Sequence, residues 1–305
     1  MWLLLAFMSA ALLGCYDSFK KQALKSNAVI PVLFLNTLFS SIIFLPFIIL
    51  SASTDVLDGS IFHVASGGWE VHKYVVLKAL IVLSSWVLGY FGMKHLPLTI
   101  VGPINATRPV LVLIGALLVF GERLNGWQWI GVLLAVLSFL MLSRSGKKEG
   151  IDFKHDHWIW MIVGAAMLGA ISGLYDKFLM APVESGGVGL DRMLVQSWYN
   201  IYQCGMMLAM LLLLWWPKHN ETTPFHWHWS IIGVSVFLST ADFMYFYSLS
   251  LPDAMISIVS MIRRGSVIVS FLFGAAFFHE KNLKAKAFDL ALVLLGMIFL
   301  YIGSK

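Results

Sequence analysis

Ten apolar segments, separated by short polar connections, limit what this chain can fold into. A helix needs about 20 residues to cross the hydrocarbon core of a bilayer, and only the fifth and tenth segments are shorter than that. The segments lie near residues 2–24, 28–50, 74–93, 98–120, 127–143, 158–180, 193–215, 229–248, 254–278 and 287–303. Because backbone polar groups cannot stay unpaired in lipid, helices are expected rather than strands. The sequence therefore predicts an all-α membrane protein with ten transmembrane helices.

Composition favours the same class of protein. The 305 residues are 59% hydrophobic and 12% charged, whereas soluble domains carry about 25% charged residues. The net charge of +5 is spread over many short connections, so it does not indicate a nucleic-acid partner. The longest connection, 51–73, is too short for a soluble domain. We expect a multi-pass integral protein of the plasma (inner) membrane, with the lipid bilayer as its partner and with no cofactor.

The start of the chain permits two interpretations. The stretch LLGC, ending at Cys15, resembles a lipoprotein cleavage site, but no Lys or Arg precedes it, as a signal peptide would require. The second interpretation is a retained helix that carries Asp17. An internal repeat favours this interpretation, because residues 171–180 (ISGLYDKFLM) repeat residues 12–21 (LLGCYDSFKK). The matched pairs, at an offset of 159, are Gly14/Gly173, Tyr16/Tyr175, Asp17/Asp176 and Phe19/Phe178.

A second match extends the repeat over the whole chain. Residues 83–97 align with 238–252 at an offset of 155, which pairs Tyr90 with Tyr245 and carries Arg108 onto Arg263. The predicted units are a first half (1–143), an inter-repeat loop (144–157) and a second half (158–305). Five helices per half is an odd number, so the second half is predicted to be inverted in the membrane.

Ten helices in two sets of five, the Gly-x-Tyr-Asp motif in helices one and six, and the FGERL corner containing Glu122 resemble the drug/metabolite transporter superfamily, in its EamA-like branch. The second corner is HEK around Glu280, and Cys15-Tyr16-Asp17 replaces the Trp-Gly-Ser-Asn-like run of the family. The resemblance implies transport of amino acids, nucleotide sugars, amphipathic drugs or other small metabolites.

The distribution of basic residues predicts an orientation. Of the Lys and Arg residues, twelve fall in odd-numbered loops and six in even-numbered loops and termini. The positive-inside rule therefore predicts that both termini are outside, whereas the resemblance implies that both are inside. The two alternatives stay open.

Charged residues inside the membrane indicate function, because each costs roughly 2.5–3.5 kcal/mol on insertion scales. Arg108 and Arg263 are expected near the bilayer centre, with Arg264 and Asp242 close by. Pro103 and Pro109 flank Arg108, so helix four is expected to be kinked or broken there. A half-helix N-terminus beside Arg108 would attract an anionic group.

We predict that Arg108 and Arg263 bind a carboxylate or phosphate of the substrate. The alternative is that they pair with Asp242 and only hold helices together. The stretch 196–204 places polar side chains on one helical face, which lines a cavity or packs against neighbouring helices. The predicted substrate-binding residues are Asn105, Arg108, Tyr199, Asn200, Gln203, Asp242, Tyr245 and Arg263.

The two repeated aspartates lie past the middle of their helices, and inversion places them toward opposite faces. The predicted gating or proton-coupling residues are Tyr16, Asp17, Tyr175 and Asp176. The alternative is that each aspartate caps a helix or pairs with a nearby Lys (Lys20, Lys21 or Lys177). Counted with Arg264, the three Asp and three Arg make the interior neutral, so a zwitterionic substrate is as compatible as an anion.

The predicted function is secondary active transport of a small polar, anionic or zwitterionic metabolite by alternating access, with a proton as candidate coupling ion. An exporter of amphipathic drugs or metabolites is the main alternative. A membrane-embedded metal-dependent enzyme is the weaker one, because the pairs around Asp156 and Trp227 (His155/His157 and His226/His228) lack the spacing of a zinc site on a helix. We expect no metal site and no catalytic residue. Oligomeric state, substrate identity and direction of transport stay open.

Overall fold

The computed structural model describes residues 1–108, 110–112, 114, 125–147, 155–180, 182–251, 259, 262–277 and 283–303. Pro109, Glu122, Glu280 and the centre of the predicted loop 144–157 lie outside the described residues. Within the described ranges the chain forms α-helices, single turns of other helix types, and loops, with no β-strand. The α-helices are α1 (Trp2–Leu24), α2 (Val29–Ser53), α3 (Trp69–His95), α4 (Leu98–Ala106), α5 (Gly126–Lys147), α6 (His157–Met180), α7 (Arg192–Met210), α8 (Ser230–Ser250), α9 (Ser266–Phe277) and α10 (Leu283–Gly303).

Six helices among the described residues are long and apolar enough to cross a membrane. They are Trp2–Leu24, Val29–Ser53, Trp69–His95, His157–Met180, Arg192–Lys218 and Ser230–Ser248. Large apolar side chains on their outer faces, such as Leu4, Ile49 and Leu213, are exposed, as expected for surfaces in contact with lipid. The prediction of an all-α membrane protein is confirmed at this level. The finer arrangement of ten spans in two inverted repeats stays a prediction.

Polar side chains fix the helix ends. Asp191 accepts a hydrogen bond from the backbone N–H of Leu194 (2.8 Å) and caps the start of α7. Asp156 accepts from the N–H of Trp158 (2.8 Å) at the start of α6. Asn27 follows α1, donates to the carbonyl of Ala23 at 3.0 Å and accepts from the N–H of Ala28 at 2.9 Å. These contacts satisfy backbone groups that a helix end leaves without partners.

Each main helix pairing joins the first half of the chain to the second half. These pairings include α1 with α8, α3 with α6, α2 with α7, α4 with α9 and α5 with α10. The repeat makes α1 equivalent to α6 and α3 equivalent to α8. Exchanging the two halves therefore converts the α1–α8 pair into the α6–α3 pair and leaves the other three pairs unchanged.

Hydrogen bonds and close contacts show the relative directions of three of these helices. Tyr16 lies against Tyr90, and further along α1 the amine of Lys21 donates to the carbonyl of Met93, so α1 and α3 run in the same direction. On α6, Ala165 accepts from Ser85 of α3 at 2.7 Å. Two more α3–α6 contacts are Lys78 with Asp176 and Gly92 with Ile162. Residue numbers along α6 therefore fall as those along α3 rise. Hence α6 runs opposite to α3 and to its repeat equivalent α1.

The long connection between α2 and α3 folds over one end of the helices. The ring of Phe62 stacks between Phe47 of α2 (centroids 5.2 Å apart) and Phe243 of α8 (5.3 Å apart). Arg192, at the start of α7, donates to the carbonyl of Ile61 at 3.1 Å. This connection is therefore attached to helices of both halves.

Candidate functional site

Four of the eight predicted substrate-binding residues meet around Asp242 of α8. One carboxylate oxygen of Asp242 pairs with the guanidinium of Arg263, and the other accepts a hydrogen bond from the hydroxyl of Tyr199 at 2.9 Å. The guanidinium carbon of Arg263 lies 4.2 Å from the ring centroid of Tyr245, in the range of a cation–π contact. Both oxygens of Asp242 therefore have partners, and so does the charge of Arg263.

A second ion pair adjoins the first. Lys78 of α3 pairs with Asp176 of α6, and the Lys78 side chain is only 3% exposed. Its ammonium lies 5.3 Å from the ring centroid of Tyr199, so the two ion pairs share Tyr199 as a neighbour. The Asp242 cluster is defined as Lys78, Asp176, Tyr199, Asp242, Tyr245 and Arg263. Its two cations and two carboxylates make it electrically neutral.

The first repeated aspartate has a more local environment. Asp17 pairs at 3.1 Å with Lys20 of the same helix, and the hydroxyl of Ser270 donates to it at 3.2 Å. The Lys20 ammonium also lies 4.4 Å from the ring centroid of Tyr16 and 5.0 Å from that of Tyr90. The Asp17 cluster is defined as Tyr16, Asp17, Lys20, Tyr90 and Ser270. This cluster is also neutral. Its Asp17–Lys20 pair is the pairing predicted as the alternative to a gating or proton-coupling role.

Arg108 and Arg264 belong to neither neutral cluster. Nε of Arg108 is buried and has no hydrogen-bond partner among the described residues. A Cβ built on Gly169 of α6 would lie 2.8 Å from the guanidinium carbon of Arg108, so the guanidinium lies directly against the α6 backbone. The charged or ionisable neighbours of Arg264 include Arg108, Arg263, Tyr245 and Asp17, and those of Arg108 include Asp17, Tyr16 and Arg263. Neither Arg108 nor Arg264 has an ion-pair partner among the carboxylates within the described ranges.

The helices that carry these arginines are interrupted beside them. α4 ends at Ala106 and a turn at Thr107 precedes Arg108. A second turn, at Gly265, separates Arg264 from α9. Pro103 lies within α4 and does not by itself end the helix. The expected break in helix four therefore lies next to Arg108.

The remaining predicted residues have different environments. The side-chain amide of Asn200 donates to the carbonyl of Gln196 within α7 (2.8 Å), which suits a packing role. Gln203 is fully buried, and neither of its side-chain amide atoms has a partner among the described residues. Oδ1 of Asn105 is likewise buried without a described partner. Tyr175 donates to the carbonyl of Tyr74 at 3.3 Å, apart from the ion pairs.

Sequence reasoning missed Lys78 as the partner of Asp176, whereas Lys20 was among the lysines considered as alternative partners of the repeated aspartates. Both lysines were assigned to loops because each lies near the end of an apolar segment, but both are buried inside helices. The nearby Lys expected for Asp176 was Lys177, whereas its partner is Lys78 on another helix. A usable signal was the alignment of Tyr90 with Tyr245, because both rings contact a cation in the structure.

These two lysines correct the predicted charge balance. The neutral count omitted both, and including them gives five cations (Lys20, Lys78, Arg108, Arg263 and Arg264) against three carboxylates (Asp17, Asp176 and Asp242) among the described interior groups. The difference is +2. The orientation argument is unaffected, because one lysine leaves each side of the count and eleven against five remain.

The histidine-rich stretches near residues 155–157 and 226–228 have structural contacts. His226 donates its backbone N–H to Asn27 at 2.8 Å, and the ring of His157 packs 4.1 Å from that of Trp158. In the described ranges, no group of three or more His, Cys, Asp or Glu side chains is arranged to hold a metal ion.

The first half of the chain carries a family match. Residues 1–144 match the EamA-like transporter family. The match confirms the resemblance to the drug/metabolite transporter superfamily. With its apolar helices, the chain is a multi-pass integral membrane protein whose residues 1–144 are similar to the EamA-like transporter family. EamA-like proteins are transporters rather than enzymes.

Solved structures share the fold. One of them, titled "Crystal structure of protein", matches with a TM-score of 0.65 over 99% of this chain and 96% of its own chain, at 11% identity. At that identity the likeness shows the fold alone. Comparison with curated protein sequences gave no match.

Proposed function

We propose that the chain is a secondary transporter that moves a small polar or anionic metabolite across the plasma (inner) membrane by alternating access. The proposal combines the EamA-like match with the charged residues between the two halves. Transporters built from inverted repeats bind their substrates near the middle of the membrane, where the repeats meet. Any energy for transport would come from a gradient or from exchange.

The proposed topology is ten membrane-spanning helices in two inverted repeats. Two observations support it. Exchanging the halves converts the α1–α8 pair into the α6–α3 pair and leaves the α2–α7, α4–α9 and α5–α10 pairs unchanged, and α6 runs opposite to its equivalent α1. In this topology Asp17, seven residues before the end of α1, and Asp176, four residues before the end of α6, lie toward opposite faces.

Accessibility of single cysteines tests the inversion. Val56 and Glu221 lie in the connections after α2 and after α7, which are equivalent in the repeat, and both are exposed. In a chain with Cys15 and Cys204 replaced by Ser, V56C and E221C should react with an impermeant thiol reagent from opposite sides of the membrane. Reaction of both from the same side would contradict inversion.

One observation carries the functional proposal: two neutral charge clusters, each containing one of the repeated aspartates, leave Arg108 and Arg264 without an ion-pair partner among the described carboxylates. An uncompensated charge in the membrane interior is costly. An anionic group of the substrate would offset that cost while it is bound. Asp17 is the candidate for proton coupling, because its lysine partner is on its own helix and need not separate when helices move.

Uptake into proteoliposomes tests this function. Labelled carboxylates, phosphate esters and amino acids would be offered to vesicles with and without the protein. We expect saturable, protein-dependent uptake of an anionic compound and its loss in Arg108→Gln. Lys284→Gln removes an exposed charge on α10 and serves as the control. Intact uptake in a folded Arg108→Gln protein would exclude the assigned site, and protein-independent uptake of every compound would exclude transport of that panel.

A further inference from the structure

We infer that the substrate is a divalent anion and that Arg108 and Arg264, rather than Arg108 and Arg263, hold its two charges. This inference rests on the proposed transport function and narrows its substrate class. Arg263 was the partner expected from the repeat alignment. In the structure the Arg263 guanidinium pairs with Asp242, whereas the adjacent Arg264 has no ion pair among the described residues.

The guanidinium of Arg263 pairs with Asp242 and packs against the ring of Tyr245. Residues 262–264 are helical, and consecutive residues of an α-helix point about 100° apart. Arg264 therefore cannot share the direction in which Arg263 reaches Asp242. Its charged neighbours include Arg108 and Asp17, and it has no ion pair among the described residues.

Arg108 and Arg264 lie on the same side of a contact between α4 and α9. A Cβ built on Gly102 of α4 would lie 2.6 Å from Cγ2 of Val267 in α9, so the two helices are in direct contact there. α9 runs in the same direction as α1, because Gly14 lies against Val269 and, further along both helices, Asp17 lies against Ser270.

α3 runs in the same direction as α1, and α4 returns after only two residues. α4 and α9 are consequently antiparallel. From the contact of Gly102 with Val267, Arg108 lies six residues along α4 and Arg264 three residues back from Val267. At 1.5 Å per residue these are about 9 Å and 4.5 Å in the same direction. The backbones of Arg108 and Arg264 are therefore displaced in the same direction from the contact between α4 and α9.

The guanidinium of Arg108 packs against Gly169, with Nη1 2.8 Å and Nε 3.0 Å from where a Cβ of residue 169 would be. Packing, rather than a described hydrogen bond, fixes this group. A guanidinium has five N–H donors in a planar fork that matches carboxylates and phosphates. A guanidinium held in place with unused N–H donors is suited to bind an anion.

The charges of the interior constrain the charge of the ligand. The described interior carries +2, and the carboxylates of both clusters are already paired. A monovalent anion would leave one positive charge in a low-dielectric region, whereas a divalent anion would leave none. A zwitterion would add no net charge, and its ammonium group would face two guanidinium groups. The balance therefore favours two negative charges on one small molecule.

Thermal unfolding of the purified full-length protein in detergent tests the inference directly. Two matched ligand pairs would be titrated at constant ionic strength: succinate against butyrate, and glycerol 3-phosphate against glycerol. We expect a saturable rise in Tm with at least one divalent member. Its affinity should exceed that of its partner by about 10- to 100-fold, the range for one charge-assisted hydrogen-bonded contact.

Variants assign the effect to the two arginines. Arg264→Gln should weaken divalent-anion binding by about 10- to 100-fold and reduce the preference over the monovalent partner. Arg264→Lys should retain much of that preference, because it keeps the charge. Gly169→Ala should weaken binding by displacing Arg108 without removing any charge. Gly173→Ala is its control, since a Cβ there would meet Val112 at an ordinary 3.8 Å.

The outcomes separate this inference from the proposed function. Equal stabilisation by succinate, butyrate and chloride would show charge screening only and would overturn the divalent site. Uptake of a neutral or zwitterionic compound that divalent anions do not inhibit would also overturn it, while leaving the transporter in place. Divalent binding that depends on Arg264 but gives no uptake would support the site and contradict transport. If Arg264→Gln does not fold, Arg264→Lys and Gly169→Ala still decide the matter.

Discussion

The two halves of the chain use the same aspartate in different ways. Asp17 is paired with Lys20, three residues away on α1, whereas Asp176 is paired with Lys78, which belongs to the other half. The alignment places Leu179 where Lys20 would be repeated and Gly233 where Lys78 would be repeated. The two halves therefore carry the aspartate at equivalent positions, but the lysine that neutralises it lies on different helices.

This difference separates a local contact from a contact between halves. The Asp17–Lys20 pair can move with α1 as a unit. The Lys78–Asp176 pair must break if α3 and α6 separate at that point. In an alternating-access cycle, the Asp242 cluster would resist opening on its side of the membrane, and the Asp17 cluster would resist less.

The largest expected effect comes from Lys78→Met. This change would leave Asp176 buried without its cation, which typically costs 3–5 kcal/mol. Chemical unfolding of the purified protein in detergent should show a loss of that size. The double variant Lys78→Met/Asp176→Asn should recover most of it, because no isolated charge remains. A single variant as stable as the unmodified protein would show that the ion pair does not join the halves.

A smaller loss is expected for Gly233→Ala. A Cβ at residue 233 would lie 2.6 Å from Cδ1 of Phe19, and overpacking of this kind costs about 1–3 kcal/mol. This contact also explains why no lysine occupies the position equivalent to Lys78. Gly205→Ala is the control, because nothing lies within 4 Å of its added Cβ. Similar unfolding of the two variants would remove this explanation.

Lys20→Leu copies into the first half the residue of the second. Asp17 would lose its cation but would keep the Ser270 hydroxyl, and its side chain is 18% exposed. Because water can reach it, we expect a cost of about 1–2 kcal/mol, below that of Lys78→Met. Chemical unfolding of Lys20→Leu and Lys78→Met under the same conditions compares their losses of unfolding free energy. A larger loss for Lys20→Leu would reverse the comparison.

The smallest effect is expected for Tyr199→Phe. The change removes one hydrogen bond to Asp242, while Arg263 still neutralises the carboxylate. A loss of about 0.5–1.5 kcal/mol in unfolding free energy is expected. Tyr202→Phe, on the same helix, removes the hydroxyl next to His72 outside the cluster and serves as the control. A loss above 3 kcal/mol would mean that Tyr199 supports more than this bond.

The helical class and the repeated Tyr-Asp motif could be predicted from the sequence because both depend on local patterns. The contact of Asp242 with Arg263 was considered for the same reason, since few charges occur in the apolar segments and opposite charges in lipid seek each other. These signals need no knowledge of the helix packing.

The role of Lys78 could not be predicted in this way. α3 begins at Trp69 rather than near residue 74, and its first turns carry the exposed pair Glu70–Lys73. Since this helix extends past its apolar segment, Lys78 lies nine residues inside it. The partner of Asp176 depends on packing between halves, which the order of residues along the chain does not specify.

The aromatic stack around Phe62 has a mechanical consequence. Its ring lies between Phe47 of α2 and Phe243 of α8, which belong to different halves. If α2 and α8 separate at this end, Phe62 must lose its contact with either Phe47 or Phe243, and the segment that connects α2 to α3 must move with the ring it stays on. A fluorophore attached at Val56, whose side chain is 77% exposed, would turn that movement into an optical signal of the rocking motion.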